Sequence, residues 1–111
     1  MRRTDKENIN IAILGAGTVG TGVYKMIKEH RDEYKDRTGA YINVSKVLVR
    51  NLDKERPEYD KSVLTCDFDE IINDKDIDIV VELMGGLHPA LEYVTKSLEA
   101  GKQVVPANKD L

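Results

Sequence analysis

A single cysteine, Cys66, leaves a chain of 111 residues with no partner for an intrachain disulfide. No apolar signal-peptide core follows Met1-Arg2-Arg3, so the secretory route is unsupported and a reducing cytoplasm is expected. No apolar run approaches the roughly 20 residues that a membrane span requires, which predicts a soluble protein without a membrane partner. Excess basic charge is missing as well: 17 Lys and Arg stand against 20 Asp and Glu, a formal net charge of -3. The basic residues alternate with acids and form no stripe, so no nucleic-acid partner held by phosphate neutralisation is expected. Internal repeats and low-complexity segments are also lacking. The length admits one compact domain over 1–111, and a hydrophobic fraction of 41% suffices for a single layered core.

What is present alternates between two periodicities. Asn10 to Leu14 is a short β-branched run ending at Gly15, which suits a strand buried on both faces of a parallel sheet. Val19, Val23, Met26 and Ile27 then recur at helical spacing, predicting a helix that runs to about His30 to Tyr34 with those four on its inner stripe. Ala40 to Val49 reads as a second strand, 51 to 60 as a surface loop, and Val63 to Cys66 as a short third strand. With no histidine nearby in sequence, Cys66 is expected to be a buried small hydrophobe and not a nucleophile. A short helix follows from Asp67, its N-cap, through Ile72. Ile77 to Leu83 is the next buried strand. A helix from Pro89 to Ala100 carries the stripe Leu91, Val94 and Leu98, with Gly101 just past its end, and a further strand covers 102–105. Strands alternating with helices predict an α/β fold, a Rossmann-type doubly wound parallel sheet.

The chemistry sits in the turns. Gly15-Ala16-Gly17-Thr18-Val19-Gly20 is a GxGxxG sequence placed between a buried strand and an amphipathic helix, the context that dinucleotide pyrophosphate binding needs. Gly15 permits the tight turn, Gly17 lets the diphosphate approach the backbone, and Gly20 lets the helix pack on the strand. The first-turn N–H groups and the positive helix end face the anion. At the end of the second strand, where an acid would bind the adenosine ribose, this chain has Arg50. A guanidinium there suits a 2′-phosphate, so NADP(H) is expected over NAD(H), with Asp53 three residues on as the alternative ribose contact. Glu82, Met84, Gly85 and Gly86 end the fourth strand, where ligands lie in open parallel sheets. Read from the residues alone, they serve equally as a cofactor path and as a flexible turn. His88 reads as a turn residue, since no second metal ligand accompanies it.

Four stretches, 15–23, 47–50, 80–86 and 100–109, together resemble homoserine dehydrogenase, which interconverts L-homoserine and L-aspartate 4-semialdehyde by hydride transfer. The Ala107-Asn108-Lys109 ending is the most specific of them. The resemblance implies that Gly15, Ala16, Gly17, Thr18, Val19 and Gly20 hold the pyrophosphate and that Arg50 contacts the 2′-phosphate. It further implies that Glu82, Met84 and Gly85 lie beside the nicotinamide, and that Asn108 and Lys109 reach cofactor and substrate, with Lys109 nearest the chemistry as the catalytic residue. From the bare sequence Lys109 would be a surface lysine. Pro106 stands where the family usually has threonine, which removes a hydroxyl and an N–H from the nicotinamide side. By the same resemblance the substrate domain lies beyond Leu111, so the isolated chain should not turn over. An unpaired sheet edge then invites a second copy, and a homo-oligomer is expected. Two other readings stand beside this one: another small amino-acid dehydrogenase with the same fingerprint, and a dinucleotide-sensing module without catalysis.

Overall fold

The computed structural model describes residues 7–111; the charged start Met1-Arg2-Arg3 lies outside them. β1 (Asn8–Leu14) leads through the glycine turn into α1 (Thr18–Glu29) and α2 (Arg31–Thr38), then β2 (Tyr41–Leu48). A 3-10 turn at Lys61–Val63 precedes the two-residue β3 (Leu64–Thr65), followed by α3 (Asp69–Ile72), β4 (Ile79–Glu82), α4 (Ala90–Glu99) and β5 (Gln103–Pro106). The five strands form one sheet in the order β3-β2-β1-β4-β5, every pair parallel. Parallel neighbours need crossover connections, and the helices that supply them cover both faces, giving the expected doubly wound architecture.

β1 sits at the centre because all four of its last residues are buried, on alternating faces. Ile11 and Ile13 pack with Tyr24 of α1, Val47, Val49 and Tyr59, while Ala12 and Leu14 pack on the other face with Phe68, Ile71, Ile77 and Val80. The Phe68 and Tyr93 rings stack at 4.0 Å, seating α4 on that second layer. A cation is also built into the core edge: Lys102, 8% exposed, donates through Nζ to the carbonyls of Asp74 (2.6 Å) and Ile77 (3.0 Å), tying the loop before β4 to the start of β5.

Several sequence expectations need correction. The first helix does not run through to Tyr34; it ends at Glu29, and α2 starts afresh at Arg31. Its inner face is Gly20, Val23, Tyr24 and Ile27, whereas Val19 and Met26 are exposed. On α4 the inward residues are Ala90, Tyr93, Val94 and Ser97, and Leu91 and Leu98 face outward. Cys66 is exposed, because β3 ends at Thr65 and the thiol lies past the ladder. The N-cap of α3 is Phe68 and not Asp67, which lies one residue further out and accepts the Asp69 N–H at 3.0 Å. Gly101 ends α4 in a left-handed conformation, its N–H bonded to the Leu98 carbonyl.

Candidate dinucleotide site

A cavity of about 560 Å³ opens over the carboxyl ends of β1, β2 and β4, a volume in the range of small-ligand sites. Gly15, Ala16 and Gly17 form its floor, Arg50, Lys54 and Arg56 one rim, and Leu83 and Met84 the other. The floor follows from the backbone. Gly15 has φ +108°, and a Cβ there would stand 3.0 Å from the Leu83 carbonyl oxygen. A Cβ on Gly20 would stand 2.3 Å from the Gly15 carbonyl oxygen, so glycine at position 20 is what allows α1 to start against the turn. Gly17 differs from both. A Cβ there meets nothing within 4 Å, so nothing in the protein demands its absence.

α1 begins at this floor with Gly17 as its N-cap, no side chain capping it and no acid in its first turn. The first-turn N–H groups therefore lack the usual internal acceptors and carry the positive end of the helix dipole toward the cavity, which suits an anion. Thr21 Oγ1 donates back to the Ala16 carbonyl at 3.2 Å and pairs with the Tyr59 hydroxyl at 3.0 Å.

That second contact explains how the cationic rim is held. Sequence reasoning took 51 to 60 for a plain surface loop, yet Tyr59 is buried, its ring 4.4 Å from that of Tyr24, whose hydroxyl accepts the Asp60 N–H. Burial pushes the Tyr59 phenol above its ordinary value, against the opposing effect of its hydrogen bond with Thr21. Arg56 donates to the carbonyls of Asn51 (2.7 Å) and Lys54 (3.3 Å), folding the loop on itself. Lys54 and Arg56 were not singled out from the sequence; a surface loop anchored by one tyrosine gives no periodic signal. Asp53 is exposed and does not line this cavity, which leaves Arg50 as the predicted recognition residue that does.

At the other end the picture is mixed. Met84 lines the cavity, but Glu82 is fully buried on the α4 side of β4 and does not. Gly85 and Gly86 form an exposed turn, both with φ +79°. Asn108 bonds to that turn, and Lys109 beside it is exposed and makes no side-chain hydrogen bond among the described residues. Thr18 and Val19 are exposed on the first turn of α1. Opposite Glu82, Pro106 gives no N–H, and the next residue, Ala107, donates its N–H to the Glu82 carbonyl. His88 pairs through Nδ1 with the Glu92 carboxylate at 2.7 Å, and this partner holds that exposed carboxyl below its usual range. No helix among the described residues is long and apolar enough to cross a membrane.

The family model for the homoserine dehydrogenase NAD-binding domain matches residues 15–111. Homoserine dehydrogenase of Bacillus subtilis is 41% identical over 104 residues, which are 93% of this chain and 24% of the relative. That of Lactococcus lactis is 45% identical over 106 residues, covering 93% and 25%. The crystal structure of Staphylococcus aureus homoserine dehydrogenase at pH 7.0 superposes with a TM-score of 0.87 at 44% identity, covering 94% of this chain and 27% of that one. The chain thus spans about a quarter of the length of the curated relatives it matches. With its parallel sheet, glycine turn and open helix start matched by that family over nearly its whole length, the chain belongs to the homoserine dehydrogenase NAD-binding domain family.

Proposed function

We propose that the chain binds NADP(H) in preference to NAD(H) and serves the hydride transfer that interconverts L-homoserine and L-aspartate 4-semialdehyde. The observation that carries this reading is the uncapped start of α1 over a cavity whose rim holds Arg50, Lys54 and Arg56. The helix start accounts for a pyrophosphate, and three cations at the β2 end suit one more phosphate on the ribose better than a free hydroxyl pair. Bound there, the dinucleotide supplies the hydride acceptor or donor. The chain's part is to hold and orient it: the glycine floor admits the diphosphate, Arg50 selects the adenosine end, and Met84, Gly85 and Lys109 belong to the end where substrate meets the nicotinamide.

In this reading Lys109 orients substrate or offsets charge on the aldehyde oxygen. Substrate binding and acid-base chemistry need further groups, consistent with relatives about four times as long. Self-association belongs to the same proposal: among the described residues β3 and β5 are the outer strands of the sheet, and an outer strand can template pairing with another copy. A cytoplasmic location fits an exposed, unpaired Cys66 thiol. The test is calorimetric titration of NADPH and NADH into the chain, with homoserine-dependent reduction of NADP assayed on the full-length protein. Equal affinities would remove the NADP preference, and absence of turnover by the full-length protein would remove the homoserine reaction.

A further inference from the structure

The cofactor reading leaves three side chains, one at the end of β4 and two past β5, without a role that their geometry supports: Glu82, Asn108 and Asp110. Glu82 is fully buried, two residues after Val80 on the same side of the sheet. Its Oε2 accepts the Met84 N–H at 2.8 Å and a bond from Asn108 Nδ2 at 3.2 Å, while Oε1 is buried with no hydrogen-bond partner among the described residues. Asn108 Nδ2 also donates to the Gly86 carbonyl at 2.6 Å, and its Oδ1 accepts the Asp110 N–H at 2.9 Å. Asp110 Oδ2 closes the circuit by accepting the Gly86 N–H at 2.9 Å.

Three consequences follow. A carboxamide has two N–H hydrogens, and both of those on Asn108 are engaged inside the protein, so none remains for a cofactor. Burying a carboxyl with one oxygen unpartnered is costly, and an apolar residue beside Val80 would avoid that cost. A pair of glycines with positive φ is soft on its own, so the Gly85–Gly86 turn takes its position from what bonds to it. What bonds to it is Asn108 and Asp110, the two residues that flank Lys109.

We propose that Glu82, Asn108 and Asp110 are positioning residues that latch the Gly85–Gly86 turn to the segment after β5 and thereby fix Lys109, without touching the dinucleotide themselves. The latch rests on the proposed function only in the task given to Lys109; the bonds themselves are testable without it. Glu82 is too deeply buried for a clean substitution, so the variants are Asp110→Ala, Asp110→Asn, Asn108→Ala and the double alanine variant of the whole chain.

Amide exchange followed by NMR reads the latch in the absence of cofactor. Gly86 exchange is expected to accelerate about tenfold or more in Asp110→Ala and to recover in Asp110→Asn, whose carbonyl still accepts. The double variant should do no more than the larger single one, the sign of groups acting as a unit. In NADPH titrations, Asp110→Ala and Asn108→Ala should weaken binding by the same few-fold factor and leave 2′,5′-ADP unaffected. In a Lys109→Ala background Asp110→Ala should change nothing further. Unchanged Gly86 exchange in Asp110→Ala overturns the latch. Weakened NADPH binding in Asn108→Ala but not in Asp110→Ala overturns positioning in favour of direct contact. A wild-type chain that binds no dinucleotide counts against the function proposed above, and the exchange data then decide the latch alone.

Discussion

Replacing Gly20 by alanine puts a methyl carbon 2.3 Å from the Gly15 carbonyl oxygen, where ordinary contact begins at 3.4 Å. The clashing atom is backbone and cannot swing aside, so α1 must lift from the turn by roughly 1 Å, losing contact between its inner face and Ile13. Overpacking of this kind costs about 3 kcal/mol at the upper end of its usual range, and the better helix propensity of alanine returns about 1 kcal/mol. The expected net loss is about 2 kcal/mol, a fall in melting midpoint of roughly 10 °C for a domain of this size. Two further alanines make the comparison decisive. At Gly22, exposed within α1 with nothing within 4 Å of the new methyl, only propensity acts, and a gain of about 0.8 kcal/mol is expected. At Gly17 the space is equally open, so stability should fall by at most about 1 kcal/mol, the preference for glycine over alanine at an N-cap, while NADPH affinity drops about tenfold or more. Thermal melts of the three variants with cofactor titrations on the same samples test the set. A Gly20→Ala protein that melts with wild type would refute the clash, and a Gly17→Ala protein that binds as wild type would refute the assignment of that space to a ligand.

Four other outcomes follow. Arg50→Ala should lose about 1.5–3 kcal/mol of NADP(H) binding and little for NAD(H) in parallel titrations, and equal losses would count against the phosphate role. Because burial raises the Tyr59 pKa, its stabilising effect is complete below the unfolded tyrosine value of about 10 and is lost as pH rises above that; Tyr59→Phe should flatten the alkaline decline in urea stability. Lys102→Met strands the Asp74 and Ile77 carbonyls and should cost about 1–3 kcal/mol in urea unfolding. Leu98→Lys, at a position 57% exposed, should change stability by less than about 0.5 kcal/mol in the same assay.

The sequence was most informative where chain geometry leaves one residue type. β1 and β4 read as strands because parallel strands buried on both faces need continuous apolar runs, and Gly15 and Gly20 are each fixed by a close backbone contact. α2 was missed because Arg31 to Thr38 has no buried residue and hence no apolar period; local bonds hold its end, with Thr38 Oγ1 donating to the Tyr34 carbonyl and Lys35 Nζ to the Gly39 carbonyl. Tyr59 was missed for a related reason: a single anchor inside a charged loop shows in no pattern, although it sets where Lys54 and Arg56 stand. The connections of Glu82, Asn108 and Asp110 join side chains to the backbone, and in one case to each other, across 22 to 26 residues of chain, and spacing of that kind carries no local signature.

The two helix stripes show how a correct period can be centred to one side of the face that meets the sheet. In α1 and α4 alike, the pairs that misled, Val19 with Met26 and Leu91 with Leu98, are seven residues apart and lie together on the outer face. The face that meets the sheet mixes large and small residues: Gly20 sits with Val23, Tyr24 and Ile27 in α1, and Ala90 and Ser97 sit with Tyr93 and Val94 in α4. A helix that approaches a sheet closely cannot place a leucine at the line of contact, because the sheet already fills the layer with Ile11, Ile13, Val80 and Leu14. Ser97 can sit there because its hydroxyl donates to the Tyr93 carbonyl at 2.7 Å, satisfying the only polar group it brings. Hydrophobicity alone therefore finds part of the contact, through Val23, Ile27 and Val94, and the small residues Gly20, Ala90 and Ser97 complete it. Close approach has a use here, since it is the seating of α1 against the Gly15 carbonyl that sets the helix start over the cavity floor. Larger residues at position 20 or at the inner face of α1 would hold the helix off the sheet and carry its first N–H groups away from any phosphate bound there.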